Sequence, residues 1–422
     1  MTMTSGGDWL VLHELLERGD PEFVDRLRNI ADADALGAFA ERWYVNPSPN
    51  ARRLLLAYLE RPLNAYRHEA LVKRLFKRAE AAGDDAVMAR FLVAFDRSIR
   101  RVLRARRRGT RESGAWPEHY LTPPGGTTMP RGKLVTYQLW VGTIQAPDWI
   151  GKLELNPRQY GNAAEPPEPA RTKLEGFRLF SVNTRHYLRR RAWRYFRRLG
   201  KDHPERYVAA ISEALVLYED ADVATGLALI DNWGLVHALF HHSPVLESRP
   251  RGWIPAAGRS LAELEPAPIY DELWRSAPRA LFDLLARAGC RPVRQWAARM
   301  LRRDLAAVRT AIGVEDVLSL LARDDPEVVE FAVEWLRDSE GLAMVGAERW
   351  LAVAETASPA AMEVLAEIMA RQIASERIAL GDAARLAAGR PLPLARLGLG
   401  WLKAKSPNTD EERQSLLALL EA

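Results

Sequence analysis

Between residues 281 and 403 the apolar positions fall into paired, helix-length runs. The same phrase returns four times: an apolar helix end, a short polar turn, a proline, and a second apolar run. The turns lie at 284–292, 320–326, 351–359 and 386–391. Their prolines, Pro292, Pro326, Pro359 and Pro391, are 34, 33 and 32 residues apart. Behind each proline an apolar face keeps helical spacing: Val293, Ala297 and Leu301; Val328, Ala332 and Leu336; Met362, Leu365 and Met369; Ala395, Gly398 and Leu402. Proline suits the first turn of a helix because its missing N–H would have no partner there. Asp324, Asp325 and Ser358 stand where N-caps belong. Two helices per period of this length predict stacked helical hairpins, each completing its neighbour's core.

The first hundred residues follow the same grammar. Asp20-Pro21, Ser48-Pro49 and Gly83-Asp84-Asp85 each introduce an apolar-periodic helix. Leu55, Leu56 and Leu59 share a face in the second; Met88, Phe91, Leu92 and Phe95 do so in the third. From 109 to 180 the pattern stops. Glycine and proline supply 18 of these 72 residues, against 35 of the other 350. Residues 133–141 could form a strand or hairpin arm, and 165–169 read as an extended linker. A smaller proline-rich break covers 244–268. The expected organisation is helical repeats over 1–108, an irregular or partly β insertion over 109–180, and further repeats over 181–422.

The decamer Pro292-Val293-Arg294-Gln295-Trp296-Ala297-Ala298-Arg299-Met300-Leu301 is similar to the second helix of a HEAT repeat. Asp325-Pro326-Glu327-Val328-Val329 fits the turn and helix start of that pattern. On these residues the last third of the chain resembles the HEAT-repeat superfamily of armadillo-type folds. Most copies lack the basic residue after the valine. The resemblance implies an all-α solenoid of helical hairpins and a habit of binding. It implies no reaction.

Composition excludes several classes. At 48% hydrophobic and 27% charged, the chain is an ordinary globular protein rather than a disordered one. Cys290 is the only cysteine, so no intrachain disulfide forms, as in a reducing compartment. The N-terminal residues carry neither a basic segment nor an apolar core, so no secretory signal is expected. No run approaches the ~18 apolar residues of a membrane span. A cytoplasmic protein with no membrane partner is expected.

The net charge of +5 conceals a polarised distribution. Residues 97–111 hold eight arginines and no acid; residues 185–201 hold seven arginines, Lys201 and no acid. Without these sixteen, the 60 lysines and arginines fall to 44, against 55 acids. Two basic segments on an acidic body suggest a polyanionic partner. The bias of 52 arginines to eight lysines also fits a GC-rich bacterial genome.

Residues 184–200 predict a helix with Leu188, Ala192, Tyr195, Phe196 and Leu199 as its apolar stripe and Asn183 or Thr184 as its cap. Arg190, Arg194, Arg197 and Lys201 run along the other face, flanked by Arg189, Arg191 and Arg198. A guanidinium fork matches phosphate oxygens, so this ridge can follow a nucleic-acid backbone. The bland reading pairs the same arginines with acids of neighbouring repeats. Arg97, Arg100, Arg101 and Arg104 open the second basic segment, which reads as the fraying end of the helix from Asp84.

Two further constellations carry possible chemistry. His237 and His241 are four apart on one helical face, a metal-ligand spacing, though no third ligand is evident. A histidine pair packed at a helix end accounts for them equally. Asp231, Trp233, Trp274 and Trp296 are loosely similar to the aspartate and tryptophans of HEAT-like alkylpurine DNA glycosylases. That resemblance implies base excision with Asp231 as the catalytic group; an ordinary cap and core pair explains it too. No phosphate loop, dinucleotide fingerprint, nucleophile elbow or zinc motif is present in the sequence. Sequence alone therefore points to a binding module without cofactor that takes nucleic acid or another polyanion. A protein-interaction scaffold with an acidic partner and a DNA glycosylase are the alternatives.

Overall fold

The computed structural model describes residues 6–105, 132–137, 179–407 except 251, 338, 340, 341 and 343, and residues 409, 410, 413, 414 and 417. These residues are mainly helical, with two small antiparallel sheets of two strands each. They divide into two compact units, Met1–Leu273 with Ala288–Arg291, and Trp274–Arg287 with Pro292–Ala422.

The first unit opens with α1 (Gly6–Arg18), α2 (Glu22–Asn29), α3 (Ala33–Tyr44), α4 (Pro49–Glu60), α5 (Glu69–Ala82) and α6 (Asp85–Arg97). Their starts are set locally. Asp32 Oδ1 accepts from the amides of Asp34 and Ala35, Pro49 occupies the first turn of α4, and Asp84 Oδ1 accepts from Val87 N. After β1 (Arg100–Ala105) and β2 (Gly132–Tyr137) come α7 (Val182–Asp202), α8 (Pro204–Leu215), α9 (Gly226–Asp231) and α10 (Trp233–Phe240). The hairpin β3 (Leu246–Arg249) and β4 (Gly252–Pro255) follows, and α11 (Asp271–Arg275) marks the passage to the second unit.

Helix α6 is central, packed against α4, α5, α7, α8 and α10. Its apolar face is the expected one: Met88, Phe91, Leu92 and Phe95 are all buried. Phe76 of α5 meets Phe91 and Phe95 edge-on, with centroids 5.2 and 5.5 Å apart. Near its end Asp96 is wholly buried. Its Oδ2 accepts from Tyr218 Oη at 2.7 Å and from the amides of Gly234 and Leu235 at 2.8 and 3.3 Å. A carboxylate of α6 thus caps the N-terminus of α10 from outside its own sequence. Gly234 permits the approach, because a β-carbon there would sit 2.5 Å from Leu92 Cδ1.

The segment after Arg97 departs from expectation. The helix stops at Arg97, and Arg100–Ala105 pairs as a strand with Gly132–Tyr137, Arg100 opposite Tyr137 and Ala105 opposite Gly132. A continued helix would set Arg97 against Arg101 and Arg100 against Arg104 as like-charged i,i+4 pairs, while Val102 and its neighbours suit an extended chain. The strand read at 133–141 is present over 132–137, and the rest of that stretch lies outside the described residues. Likewise the break at 244–268 contains the hairpin β3–β4.

The second unit holds α12 (Pro278–Arg287), α13 (Arg291–Arg302), α14 (Leu305–Ala311), α15 (Val314–Leu320), α16 (Pro326–Arg337), α17 (Ala347–Thr356), α18 (Met362–Gln372), α19 (Leu380–Ala387) and α20 (Leu392–Lys403). Each of the four prolines read from the sequence lies at or beside a helix start: second in α13, first in α16, in the short turn before α18, and at the N-cap of α20. Helix α16 packs on α18 and α18 on α20, while α15 packs on α16 and α19 on α20. Val293, Ala297, Leu301, Val328, Ala332, Leu336, Leu365, Met369, Ala395 and Gly398 are buried; Met362 and Leu402 are half-buried.

Asp325, expected as a cap, is also drawn into ion pairs. Asp325 Oδ2 accepts from Arg323 and its Oδ1 lies 2.9 Å from Arg294 Nη2, while Ser358 occupies an N-cap position without a capping side-chain bond. A carboxylate beside a half-buried guanidinium gains more from that charge than from one amide.

Candidate nucleic-acid interface

Ser181 starts α7, its hydroxyl accepting from Thr184 N at 3.3 Å, ahead of both expected caps, Asn183 and Thr184. From there 21 residues run without a break. Leu188, Ala192, Trp193, Phe196 and Leu199 are buried, and Tyr195 is half-buried with its hydroxyl donating to Asp85 Oδ1 at 2.5 Å.

The arginines of α7 divide into two sets. The inward set is neutralised or spent on backbone. Arg189 is 2% exposed; its Nη1 donates to Asp231 O at 2.9 Å and its guanidinium lies 5.3 Å from the Trp233 ring. Arg191 is paired with Glu80, and Arg185 donates to Ser98 O. The outward set is Arg190, Arg194, Arg197, Arg198 and Lys201. All five are exposed, and among the described residues none pairs with an acid. At about 100° per residue the five fall within an arc of about 100°. From Arg190 to Lys201 the ridge is about 16 Å long, at about 1.5 Å of rise per residue.

Elsewhere several arginines are matched to acids about thirty or more residues away. In the first unit Arg52 meets Asp84 at 2.5 Å, Arg90 meets Glu60 at 3.0 Å, and Arg78 meets Glu41. In the second, Arg294 meets Glu327 at 2.7 Å, Arg302 meets Glu334 at 2.6 Å, and Arg349 meets Glu315 at 2.6 Å. The sequence separations run from 30 to 37 residues. Pairing of this kind accounts for these six arginines and leaves out the outer face of α7.

The other expected contacts fare differently. Arg97 is turned to structural use: its Nε and Nη2 grip Asp222 at 2.8–3.0 Å, and Nη2 also donates to Leu217 O. Arg100, Arg101 and Arg104 lie on β1, which runs beside α9; their side chains lie outside the described residues. Residues 106–111 lie outside them altogether.

Beside the ridge is a cleft of about 600 Å³, where the end of α5, the last turns of α7 and the start of α8 converge. Arg191, Arg194, Arg198 and Arg206 line it, with Glu80 and Asp202 as its carboxylates. Arg191 is matched by Glu80, and Arg206 by Asp85 at 2.8 Å. Arg194 and Arg198 remain to attract an anion. The cleft had no signature in the sequence, because its walls come from segments more than a hundred residues apart. Arg198 was legible in the sequence as a flank of the basic ridge, whereas nothing there singled out Tyr187.

His237 and His241 do come together, with Nδ1 atoms 2.6 Å apart, one donating to the other. Trp193 stacks on His237 at 4.9 Å and 8°, and Trp233 and Trp253 meet it edge-on. Burial foremost, then His241, Arg197 and Arg189, pushes His237 down to about 2; burial, His242 and Arg197 push His241 down to about 4. Both are neutral, but no cluster of three His, Cys, Asp or Glu suited to a metal occurs among the described residues.

Asp231 is 1% exposed at the end of α9. Trp274 and Trp296 are buried against each other in the second unit, with centroids 4.9 Å apart. These are the surroundings of core residues. Trp233, 8% exposed, lies on the Arg189 guanidinium. No helix among the described residues is long and apolar enough to cross a membrane. No protein-family description, curated protein or solved structure gives a match to this chain.

Proposed function

We propose that this chain is a non-enzymatic α-solenoid of HEAT-like hairpins that binds nucleic acid through the phosphate backbone. The observation that carries the reading is the outer face of α7. Arg190, Arg194, Arg197, Arg198 and Lys201 stand together on one helix face without acid partners among the described residues, while arginines such as Arg52, Arg90, Arg294, Arg302 and Arg349 meet acids far along the chain. The proline-led helices and the ion pairs at separations of 30–37 residues support the repeat architecture.

Contacts of this kind are made to phosphate, so affinity falls steeply with salt and depends little on sequence. The test is binding of short single- and double-stranded oligonucleotides at low and physiological salt. Arg190→Ala/Arg194→Ala/Arg197→Ala is measured beside the wild type. The expected result is folded protein with weaker binding and a log–log salt slope reduced by about 2 to 3, from about 0.7 to 0.9 per lost contact. An unchanged slope ends the assignment of this face. No binding at low salt ends the nucleic-acid reading and turns the search to an acidic protein partner.

A further inference from the structure

Tyr187 is the one aromatic among the exposed large hydrophobic residues of the described chain, at 46% exposed. It lies on α7, away from the buried stripe. With about 100° per residue, Arg194 and Arg198 fall within about 20° of it on the helix circumference, and Arg191 within about 40°. Tyr187, Arg191, Arg194 and Arg198 thus form one row at i, i+4, i+7 and i+11.

The ring is held rather than loose. Arg191 Nη1 donates to its hydroxyl at 3.3 Å, and the Arg194 guanidinium lies 6.0 Å from its centroid. Arg191 is itself fixed by Glu80. The row then runs into the cleft of about 600 Å³ lined by Arg194, Tyr195, Arg198 and Arg206. That volume suits a small ligand group or one residue of a polymer.

A basic face needs no exposed aromatic to follow a duplex, whose bases are stacked inside. An aromatic set among phosphate-binding arginines is the arrangement that holds single strands, because every unstacked base offers a π-face. We infer that the partner is single-stranded nucleic acid, with a base stacked on Tyr187 and adjoining phosphates held by Arg194 and Arg198 at the mouth of the cleft. The inference rests on the proposed nucleic-acid reading and narrows it.

The experiment measures fluorescence anisotropy of a short deoxythymidine oligomer and of a short mixed-sequence duplex with the full chain. The variants are Tyr187→Leu, Tyr187→Phe and Arg198→Ala, each checked for helical content by circular dichroism. Tyr187→Leu is expected to weaken single-strand binding about tenfold at an unchanged salt slope, and duplex binding less than about twofold. Tyr187→Phe is expected to retain wild-type affinity, since it keeps the ring. Arg198→Ala is expected to lower the single-strand slope by about 0.7. An equal effect of Tyr187→Leu on both probes, or none on either, overturns the inference. If the triple arginine variant still weakens binding in that case, the broader reading stands while this one falls. Failure of both probes to bind at low salt overturns both.

Discussion

At the scale of single residues, buried charge is met either by an ion pair or by hydrogen bonds. Arg294 is 4% exposed and Glu327 is 6%, with Nε donating to Oε1 at 2.7 Å. Arg294→Met leaves a buried carboxylate without that cation, and is expected to cost about 3–5 kcal/mol in urea unfolding. Adding Glu327→Leu should restore much of the loss, because a desolvated pair is often worth little more than an apolar one. Buried histidines give a second test. His68 is held between Tyr58 Oη at 2.8 Å and Ile30 O at 3.2 Å, and burial pushes it down to about 4, as it does His241; His237 lies lower still. The unfolded chain takes up these protons near pH 6.5 and the folded chain only near pH 4 or below. In that window the unfolded state binds more protons, so stability falls as pH drops from about 6.5 to 4. Asp96, raised by burial to about 6, acts in the opposite sense above pH 4, one group against three. The urea midpoint should decline across the window, and His237→Phe should flatten part of the decline. A midpoint flat over this range would refute the buried neutral states.

At the scale of elements, close approach decides which residues are allowed. In α20, a β-carbon on Gly398 would lie 2.6 Å from Ala387 N and 2.7 Å from Ala383 O of α19. Backbone cannot yield as a side chain does. Gly398→Ala is expected to destabilise by about 1–3 kcal/mol through overpacking, measured by chemical unfolding. Ala substitution at Gly400, where a β-carbon meets nothing within 4 Å, serves as the control and should be neutral or better. Helix α7 illustrates the other side of element design. Its apolar stripe fixes the rotation of the helix, and that rotation alone determines which arginines enter the core and which face water.

At the scale of the whole molecule, the charge pattern separates arginines paired with acids distant in sequence from the acid-free outer face of α7. Replacing the paired Arg78 and Arg349 with alanine should change oligonucleotide affinity by less than about twofold at physiological salt, with only modest losses of stability, because exposed pairs contribute little. The outward residues of α7 should carry the salt dependence. If the paired set lowers affinity as much as the α7 set does, net charge rather than a defined face governs binding.

By itself the sequence determined what depends on spacing. The helices behind Pro292, Pro326, Pro359 and Pro391, the buried face of α6, and the outward line Arg190, Arg194, Arg197 and Lys201 all follow from a 3.6-residue period and local turn chemistry. Tertiary structure decided what depends on partners far along the chain. Arg97 is taken by Asp222, 125 residues away, and Arg189 by the backbone of Asp231. Asp96 caps a helix 138 residues on. A basic residue carries no local mark of whether an acid will meet it in the fold. That meeting is set by packing, where a buried charge must find its counterpart and an exposed one need not.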